Sequence, residues 1–173
     1  MNLLSLFTHI TTFVFDVDGV LTDGSLLILP GGQMARTMNI KDGYALQLAV
    51  KKKYRVVVIS GGTDPAVKER LERLGVTDIF LNVADKKTKL LEYVSAHNLQ
   101  WQEVLFMGDD LPDLQPMQMA GLACCPSDAV AEIKQVSHYI SPIGGGLGCG
   151  RDVIEKVMKL KGDWDLETGI ASR

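Results

Sequence analysis

Short apolar runs, separated by longer stretches with helical periodicity, set the pattern of this chain. The runs are rich in β-branched and aromatic residues, which is typical of strands buried on both faces of a sheet. Strands are predicted at Thr12–Phe15, Arg55–Ile59, Asp78–Leu81 and Val104–Met107, with two weaker ones at Leu122–Cys124 and Tyr139–Ile140.

Helices are predicted between these strands, so that the two kinds of element alternate along the chain. The helical patterns cover about residues 42–53, 64–74, 86–98, 111–119, 128–136 and 150–160. Asp64-Pro65 is a typical helix start, and Gly75 is a typical helix end. The alternation predicts an α/β fold of three layers, in which helices cover both faces of a parallel, Rossmann-like sheet.

One segment departs from the alternation. Residues 25–39 contain two extended stretches on either side of Pro30-Gly31-Gly32, a pattern that predicts a β-hairpin protruding after the first strand. With 173 residues, of which 46% are hydrophobic, the chain has the size and composition of one domain. Residues 161–173 are polar and carry little periodicity, which indicates a C-terminal tail.

Charge and composition restrict the partners and the compartment. The net charge of −3 leaves no large basic field, which argues against nucleic acid or an anionic membrane surface as a partner. No apolar run reaches the roughly 18 residues of a membrane span, and the N-terminus lacks the basic region of a signal peptide. The cysteines Cys124, Cys125 and Cys149 form neither a metal-type pair nor an even disulfide framework. We therefore expect a cytoplasmic protein.

Residues suited to chemistry follow the predicted strands. They form four groups: Asp16-Val17-Asp18, Ser60-Gly61-Gly62, Asp85-Lys86, and Gly108-Asp109-Asp110 with Asp113. In a parallel α/β sheet the carboxyl ends of the strands lie along one edge, where ligands bind. The sequence therefore predicts that carboxylates, a hydroxyl and an ammonium group converge there.

These groups can together hydrolyse a phosphate monoester. The reaction needs a nucleophile, a cation beside the phosphoryl oxygens and an acid for the leaving alkoxide. Asp16 is a plausible nucleophile, and Asp16 with Asp109 offers the hard oxygen ligands that Mg²⁺ prefers. Asp18 can act as the acid if the loop turns sharply at Gly19. The Ser60 hydroxyl, the Gly61 amide and Lys86 can contact the phosphoryl oxygens, and Lys86 can also pair with the nucleophile.

The four groups, in this order, resemble the motifs of the haloacid dehalogenase superfamily of phosphatases. The resemblance implies that Asp16 is the nucleophile, that Asp18 is the general acid and base, and that Ser60 and Lys86 bind phosphate. It also implies a magnesium ion held by Asp16, the main-chain carbonyl of Asp18, and Asp109. Asp110 and Asp113 would support the metal site.

Further segments resemble the 3-deoxy-D-manno-octulosonate 8-phosphate phosphatases over nearly the whole chain. They are Asp23-Gly24, Lys41-Asp42-Gly43, Asp85-Lys86, Gly108-Asp109-Asp110-Leu111 and Gly144-Gly145-x-Gly-x-x-Arg151. The resemblance implies that an eight-carbon keto-acid sugar phosphate is the substrate, with Asp23, Asp42, Gly61 and Gly62 on the substrate side. Arg70 and Arg151 are candidates for binding the sugar carboxylate. In one departure, Gly62 stands where the family commonly carries arginine, so a side chain that could contact the substrate is missing.

The spacing of the motifs leaves no room for a cap domain over the site. Only the hairpin and one helix separate Asp16 from Ser60, and one helix and a strand separate Lys86 from Gly108. An open site would let water compete with the substrate. We therefore expect the 25–39 hairpins to build a homo-oligomer that closes the site, and the resemblance implies a tetramer. Two alternatives are open for the tail: it is disordered, or it enters a neighbouring site, as the resemblance suggests.

Several residues also allow simpler interpretations. Asp110 and Asp113 could cap the helix that begins near Leu111, and Lys86 could be one more surface lysine. The glycines of Gly144–Gly148 invite comparison with a nucleotide loop, but the Lys-Ser/Thr of a P-loop is absent. They fit better as a tight turn before the last helix.

Three other functions remain open at the level of sequence. A phosphatase for a related nine-carbon keto-acid sugar would use the same chemistry. A receiver-like phosphoaspartate switch uses similar groups, although its acidic pair precedes the phosphoacceptor, whereas Asp16 comes first here. A non-catalytic regulatory homologue would keep the fold, and Gly62 keeps that alternative open.

Overall fold

Six parallel strands form one sheet at the centre of the molecule. The structure, a computed structural model, describes residues 2–165 and 169–170. In chain order its strands are β1 (Thr12–Phe15), β2 (Leu27–Ile28), β3 (Met34–Ala35), β4 (Arg55–Ile59), β5 (Asp78–Phe80), β6 (Val104–Met107), β7 (Leu122–Cys125) and β8 (Tyr139–Ile140). The main sheet has the order β5-β4-β1-β6-β7-β8. The chain extends outward from β1 through β4 and β5 and then returns to β6, so β1 lies at the point where the direction reverses.

Helices cover both faces of this sheet. They are α1 (Leu3–His9), α2 (Ile40–Lys51), α3 (Pro65–Arg73), α4 (Lys86–Ala96), α5 (Leu114–Met119), α6 (Ala131–Val136) and α7 (Cys149–Lys161). Buried side chains of α1, α2, α3 and α7 share one apolar cluster with the sheet. Those of α4, α5 and α6 belong to a second cluster on the opposite face. The predicted three-layer α/β fold is confirmed.

The strands are apolar throughout because each lies between two helical layers. In β1, Phe13 and Phe15 point into the first cluster, whereas Val14 points into the second. All three side chains are fully buried. Burying each side chain of this size contributes about 1.5–3 kcal/mol relative to exposure, which fixes the register of β1 and the position of its carboxyl end.

The predicted bounds of β1, β4, β6 and β8 are confirmed, and those of β5 and β7 differ from the prediction by one residue. The helix α1 was not predicted. It is short, is capped by the Asn2 side chain and buries only Phe7, so its sequence carries little periodicity. The helix predicted at 111–119 begins instead with a 3-10 turn at Leu111–Asp113, and the one predicted at 128–136 begins only at Ala131. In the second case Asp128 lies in a turn, where its side chain accepts a hydrogen bond from Gly145 N.

The predicted hairpin is confirmed. β2 pairs antiparallel with β3, and the turn between them contains Gly31 and Gly32 at φ +83° and +79°. Its residues are mostly exposed. Apart from this hairpin, the segment between β1 and β4, which the structure describes in full, holds one short turn at Val17–Leu21 and α2, so no cap domain is inserted there.

The glycine-rich loop before α7 packs against the loop that follows β1. Gly146 N donates to Val20 O at 2.9 Å. A Cβ atom at Gly145 would lie 2.0 Å from Gly19 O, so no larger residue fits at this position. The glycines therefore allow a close approach between two loops, as expected of a turn.

The first residues after α7 pack back on the domain. Tyr54 donates its hydroxyl to Asp163 at 2.6 Å, and Trp164 packs at the edge of the first apolar cluster. Most of the predicted tail beyond them, 166–168 and 171–173, lies outside the described residues. Within the described part of the chain, no helix is long and apolar enough to span a bilayer.

Candidate active site

The loop after β1 brings the first carboxylate to the edge of the sheet. Asp16 continues the β1–β6 pairing, because its N–H donates to Met107 O at 3.0 Å. The residue is 7% exposed, and one carboxylate oxygen accepts a hydrogen bond from Val17 N at 2.7 Å. The chain then reverses at Gly19, which has φ +87°. A Cβ atom at Gly19 would lie 1.9 Å from Asp109 Oδ2, so glycine is required both for the turn and for the approach of Asp109.

Lys86 binds two carboxylates at this edge. Its Nζ lies 2.8 Å from Asp16 Oδ2 and 2.7 Å from Asp113 Oδ1. Asp85 fixes the start of α4 by accepting a hydrogen bond from Thr88 N, and this places Lys86 at the first position of the helix. Burial alone would lower the pKa of Lys86, but the two carboxylates outweigh it and the pKa is raised. Lys86 therefore stays protonated and is a buried partner of Asp16, not a surface lysine.

The loop after β6 supplies the other two carboxylates. Asp113 is fully buried and accepts a hydrogen bond from Asp109 N at 3.1 Å. A Cβ atom at Gly108 would lie 2.3 Å from the Cβ of Asp113, so this close approach requires glycine. Asp110, in contrast, is exposed and accepts a hydrogen bond from Leu111 N at 2.7 Å. Of the two acidic residues with an uncertain role, Asp113 joins the cluster and Asp110 caps the following turn.

Asp16 and Asp109, with Asp113 beside them, form a cluster of carboxylates that could hold a divalent cation. Each offers an oxygen within 4.8 Å of the others. Asp109 Oδ1 is buried and has no hydrogen-bond partner among the described residues. Burial, with the charge of Asp113, raises the pKa of Asp16 to about 7 despite Lys86. The pKa of Asp109 also rises to about 7, mainly through burial and the neighbouring Asp113 and Asp110. A hard cation such as Mg²⁺ would relieve this repulsion and bind the orphaned oxygen.

Ser60 and the two following glycines form the next part of the edge. Ser60 is 2% exposed and is held by its N–H, which donates to Phe80 O at 2.9 Å. Its hydroxyl accepts a hydrogen bond from Gly62 N at 3.1 Å. A Cβ atom at Gly62 would lie 3.5 Å from Asp18 Oδ2, which places this loop beside the Asp18 carboxylate.

Sequence reasoning did not identify Arg36, which contacts Asp18 from the hairpin. Its Nε and Nη2 lie 2.6 and 3.1 Å from the two Asp18 carboxylate oxygens. Its Nη1 donates to Asp64 Oδ2 at 3.1 Å. Only one feature of the sequence could have pointed to Arg36. This is Gly62, which leaves space beside Asp18 for a side chain from another segment.

The other residues that were predicted to contact the substrate have different neighbours from one another. Asp23 is exposed and accepts a hydrogen bond from Ser25 N. Asp42 is 3% exposed and accepts from Arg151 N at the start of α7, and burial raises its pKa to about 6. The Arg151 guanidinium pairs with Glu155 and lies over the rings of Tyr44 and Trp164.

Among the residues that the structure describes, neither Asp42 nor Arg151 makes a hydrogen bond or ion pair with the carboxylate cluster. Arg70 lines a cavity of about 800 Å³ between the hairpin and α3, together with Arg36 and Asp64. The cavity therefore adjoins the Arg36–Asp18 contact.

Comparison with known proteins agrees with this geometry. A family model described as haloacid dehalogenase-like hydrolase matches residues 72–143. The 3-deoxy-D-manno-octulosonate 8-phosphate phosphatase of Yersinia pestis is 28% identical over 94% of this chain and 87% of its own length.

Several solved structures are also similar to this chain in sequence and in fold. A probable YrbI family phosphatase from Pseudomonas syringae pv. phaseolica 1448A is 31% identical, with a TM-score of 0.90 over 93% of this chain and 92% of that chain. The Moraxella catarrhalis 3-deoxy-D-manno-octulosonate 8-phosphate phosphatase is 29% identical, with a TM-score of 0.88 over 91% of each chain. That structure is a complex with magnesium ion, phosphate ion and the sugar KDO.

Proposed function

Since this chain belongs to the haloacid dehalogenase-like hydrolases and is a phosphatase, we propose that it removes phosphate from 3-deoxy-D-manno-octulosonate 8-phosphate. The reaction depends on magnesium and passes through an aspartyl phosphate on Asp16. The observation that carries this proposal is the Asp16 carboxylate at the sheet edge, bound by Lys86 beside Asp109 and Asp113.

The proposed reaction has two steps, each of which uses Asp16 and Asp18. In the first, an Asp16 oxygen forms a bond to phosphorus while the bond from phosphorus to the sugar oxygen breaks, and Asp18 gives that oxygen a proton. In the second, Asp18 takes a proton from water, whose oxygen attacks phosphorus and breaks the bond to Asp16. Inorganic phosphate leaves, and both carboxylates return to their starting states.

Other groups at the carboxyl edge of the sheet are proposed to stabilise negative charge during both steps. Lys86 is positioned to balance the charge of Asp16 and of the phosphoryl oxygens, and the Ser60 hydroxyl and Gly61 amide are proposed donors to those oxygens. Asp16, the Asp18 carbonyl and Asp109 would hold the magnesium ion, which supplies a positive charge to the phosphoryl group when bound. Asp113 supports both the phosphate-binding groups and the proposed metal ligands, because it binds Lys86 and accepts a hydrogen bond from Asp109 N.

The substrate assignment rests on the relatives and on the cavity beside Arg36. Relatives over nearly the whole chain are named for this eight-carbon sugar phosphate. Arg70 lines the cavity and is our proposed partner for the sugar carboxylate. Asp23, Gly61 and Gly62 are proposed to lie on the substrate side. Asp42 and Arg151 are proposed there as well, and they are joined to each other at the start of α7. A nine-carbon keto-acid sugar phosphate is the alternative substrate.

We also propose that the protein works in the cytoplasm as a homo-oligomer, with four subunits as the family resemblance implies. The hairpin exposes large apolar side chains, including Leu27 at 64% and Ile28 at 74%. Such a patch marks an interaction surface. Hairpins of neighbouring subunits would then cover the open edge, and the C-terminal tail remains a second candidate for that role.

A magnesium-dependent screen over sugar phosphates tests the function. We expect many equivalents of phosphate to be released from the eight-carbon keto-acid substrate, and less from other sugars. Preference for a nine-carbon sugar would replace the substrate assignment. A stable, stoichiometric phosphoaspartate would favour a receiver-like switch, and no phosphate release from any ester would favour a regulatory homologue.

A further inference from the structure

Arg36 occupies the space that a side chain at position 62 would use. A Cβ atom built on Gly62 would lie 3.5 Å from Asp18 Oδ2 and 3.7 Å from Arg36 Nη2. The φ of Gly62 is not in the left-handed region, so the backbone itself does not require glycine there. The Cβ atom itself would make ordinary contacts, and a longer side chain there would have to share the space beside Asp18 with the guanidinium of Arg36.

The contact between Arg36 and Asp18 has a well-defined geometry. The guanidinium binds both oxygens of Asp18 through Nε and Nη2, the bidentate arrangement that fixes a carboxylate in direction as well as in distance. The Arg36 side chain is only 11% exposed, and its third nitrogen binds Asp64 at the start of α3. The guanidinium therefore has a fixed position between two elements.

We propose that Arg36 is the positioning residue for Asp18, and that it supplies from the hairpin the guanidinium that Gly62 cannot supply from its own loop. The inference rests on the proposed function, because it concerns the residue that acts as acid and base there. It makes the hairpin a working part of the active site within its own subunit, in addition to any contact between subunits.

The geometry also indicates which Asp18 oxygen serves the substrate. Oδ1 makes the shorter contact, 2.6 Å to Nε, whereas Oδ2 makes the longer one, 3.1 Å to Nη2. Oδ2 is also the oxygen beside the Ser60–Gly62 loop, where the proposed phosphate donors lie. Oδ2 is therefore the Asp18 oxygen nearer the proposed phosphate donors, and it is the one that we place toward the leaving oxygen.

The test is a double-mutant cycle between positions 36 and 62. Arg36→Ala should lower kcat about 10- to 100-fold, the size of effect that misplacing a reacting group by about 1 Å produces, while KM changes less. Gly62→Arg alone should also lower kcat, because its side chain meets the guanidinium of Arg36. In Arg36→Ala/Gly62→Arg, a guanidinium again lies beside Asp18, and we expect kcat to recover at least about fivefold over Arg36→Ala.

Two controls separate positioning from folding. Arg73→Ala removes an exposed arginine that pairs with Glu69 on α3 and should leave kcat unchanged. Thermal melting of every variant shows whether Arg36→Ala merely unfolds the hairpin, and a structural role alone would give no recovery in the double variant. Arg36→Lys, which keeps the charge but not the bidentate fork, should fall between wild type and Arg36→Ala.

The outcomes also distinguish this inference from the proposed function. If the wild-type enzyme hydrolyses phosphate esters but Arg36→Ala matches it in kcat, or the double variant is no better than Arg36→Ala, Arg36 does not position Asp18. If the wild-type enzyme hydrolyses no phosphate ester with magnesium present, it is the proposed function that fails.

Discussion

At the scale of single residues, two aspartates two positions apart have different surroundings. Asp16 is buried against Lys86, Asp109 and Asp113, whereas the Asp18 side chain is 37% exposed and bound by Arg36. Such a difference in environment is what allows two carboxylates to take two roles, here nucleophile and acid. The residue types and their order could be predicted from the sequence. Lys86 and Asp113 were also predicted at the site. Arg36 could not be, because it reaches Asp18 only through the tertiary fold.

The role of Asp18 predicts a dependence on the leaving group. In Asp18→Asn no side chain can protonate the sugar oxygen, so kcat/KM on the sugar phosphate, which reports the first step, should fall about 10²- to 10⁴-fold. The fall should be smaller on p-nitrophenyl phosphate, whose leaving group needs no proton. Steady-state kinetics on both esters measure this. Equal losses of kcat/KM on the two substrates would contradict the acid role.

Asp109 predicts a stability change that depends on pH. In the metal-free protein, its pKa rises from 3.8 to about 7, so the folded state binds more protons than the unfolded state between those values. Its contribution therefore lowers the free energy of unfolding as pH rises through that window. Metal-free Asp109→Asn should melt at a higher temperature than wild type at about pH 8, and the difference should narrow towards about pH 5.

Magnesium provides the control for that prediction. The ion should raise the melting temperature of the wild-type protein at about pH 8 and have little effect on Asp109→Asn, because the variant lacks a charged ligand. Equal stabilisation of both proteins by magnesium would remove Asp109 from the metal site.

At the scale of elements, the strands were predictable because burial between two layers imposes a continuous apolar run. The loops at their ends were predictable only in composition. The turn at Leu111–Asp113 illustrates the reason, since a 3-10 turn instead of an α-helix turns Asp113 inward to Lys86 while Asp110 stays outside. A sequence pattern does not distinguish these two conformations, which decide which acidic residue joins the site.

Gly108 allows the loop after β6 to place Asp113 in the active site. Ala at this position would place a Cβ atom about where Asp113 packs, because the built Cβ lies 2.3 Å from the Cβ of Asp113. We expect Gly108→Ala to destabilise the fold by about 1–3 kcal/mol, the usual cost of overpacking, and to lower kcat because Lys86 loses its second partner. Chemical denaturation and phosphate release measure the two effects. Wild-type stability would show that the loop shifts freely and does not fix Asp113.

At the scale of the whole molecule, the fold class and the absence of a cap followed from element order and spacing. The link between hairpin and active site did not, because it depends on where the hairpin folds back. The same element therefore has two proposed roles. Arg36 contacts Asp18 of its own subunit. The exposed apolar residues are proposed to contact a neighbouring subunit.

The oligomer prediction concerns that outer face. Ile28→Asp places a charge on a side chain that is 74% exposed, so the subunit should still fold while the apolar patch is interrupted. Light scattering should report a smaller mass than for wild type, and Arg73→Ala provides the matched surface control. A wild-type enzyme that is monomeric when fully active would contradict the proposal that neighbouring subunits close the site.

The proposed function depends above all on Asp16 attacking the phosphate of a keto-acid sugar. Its most direct test is steady release of phosphate from 3-deoxy-D-manno-octulosonate 8-phosphate by wild type and by Asp16→Asn, which keeps the shape of the side chain and removes its charge. With magnesium we expect many turnovers from wild type and none above background from a folded Asp16→Asn protein. Phosphate release retained by Asp16→Asn would contradict the account.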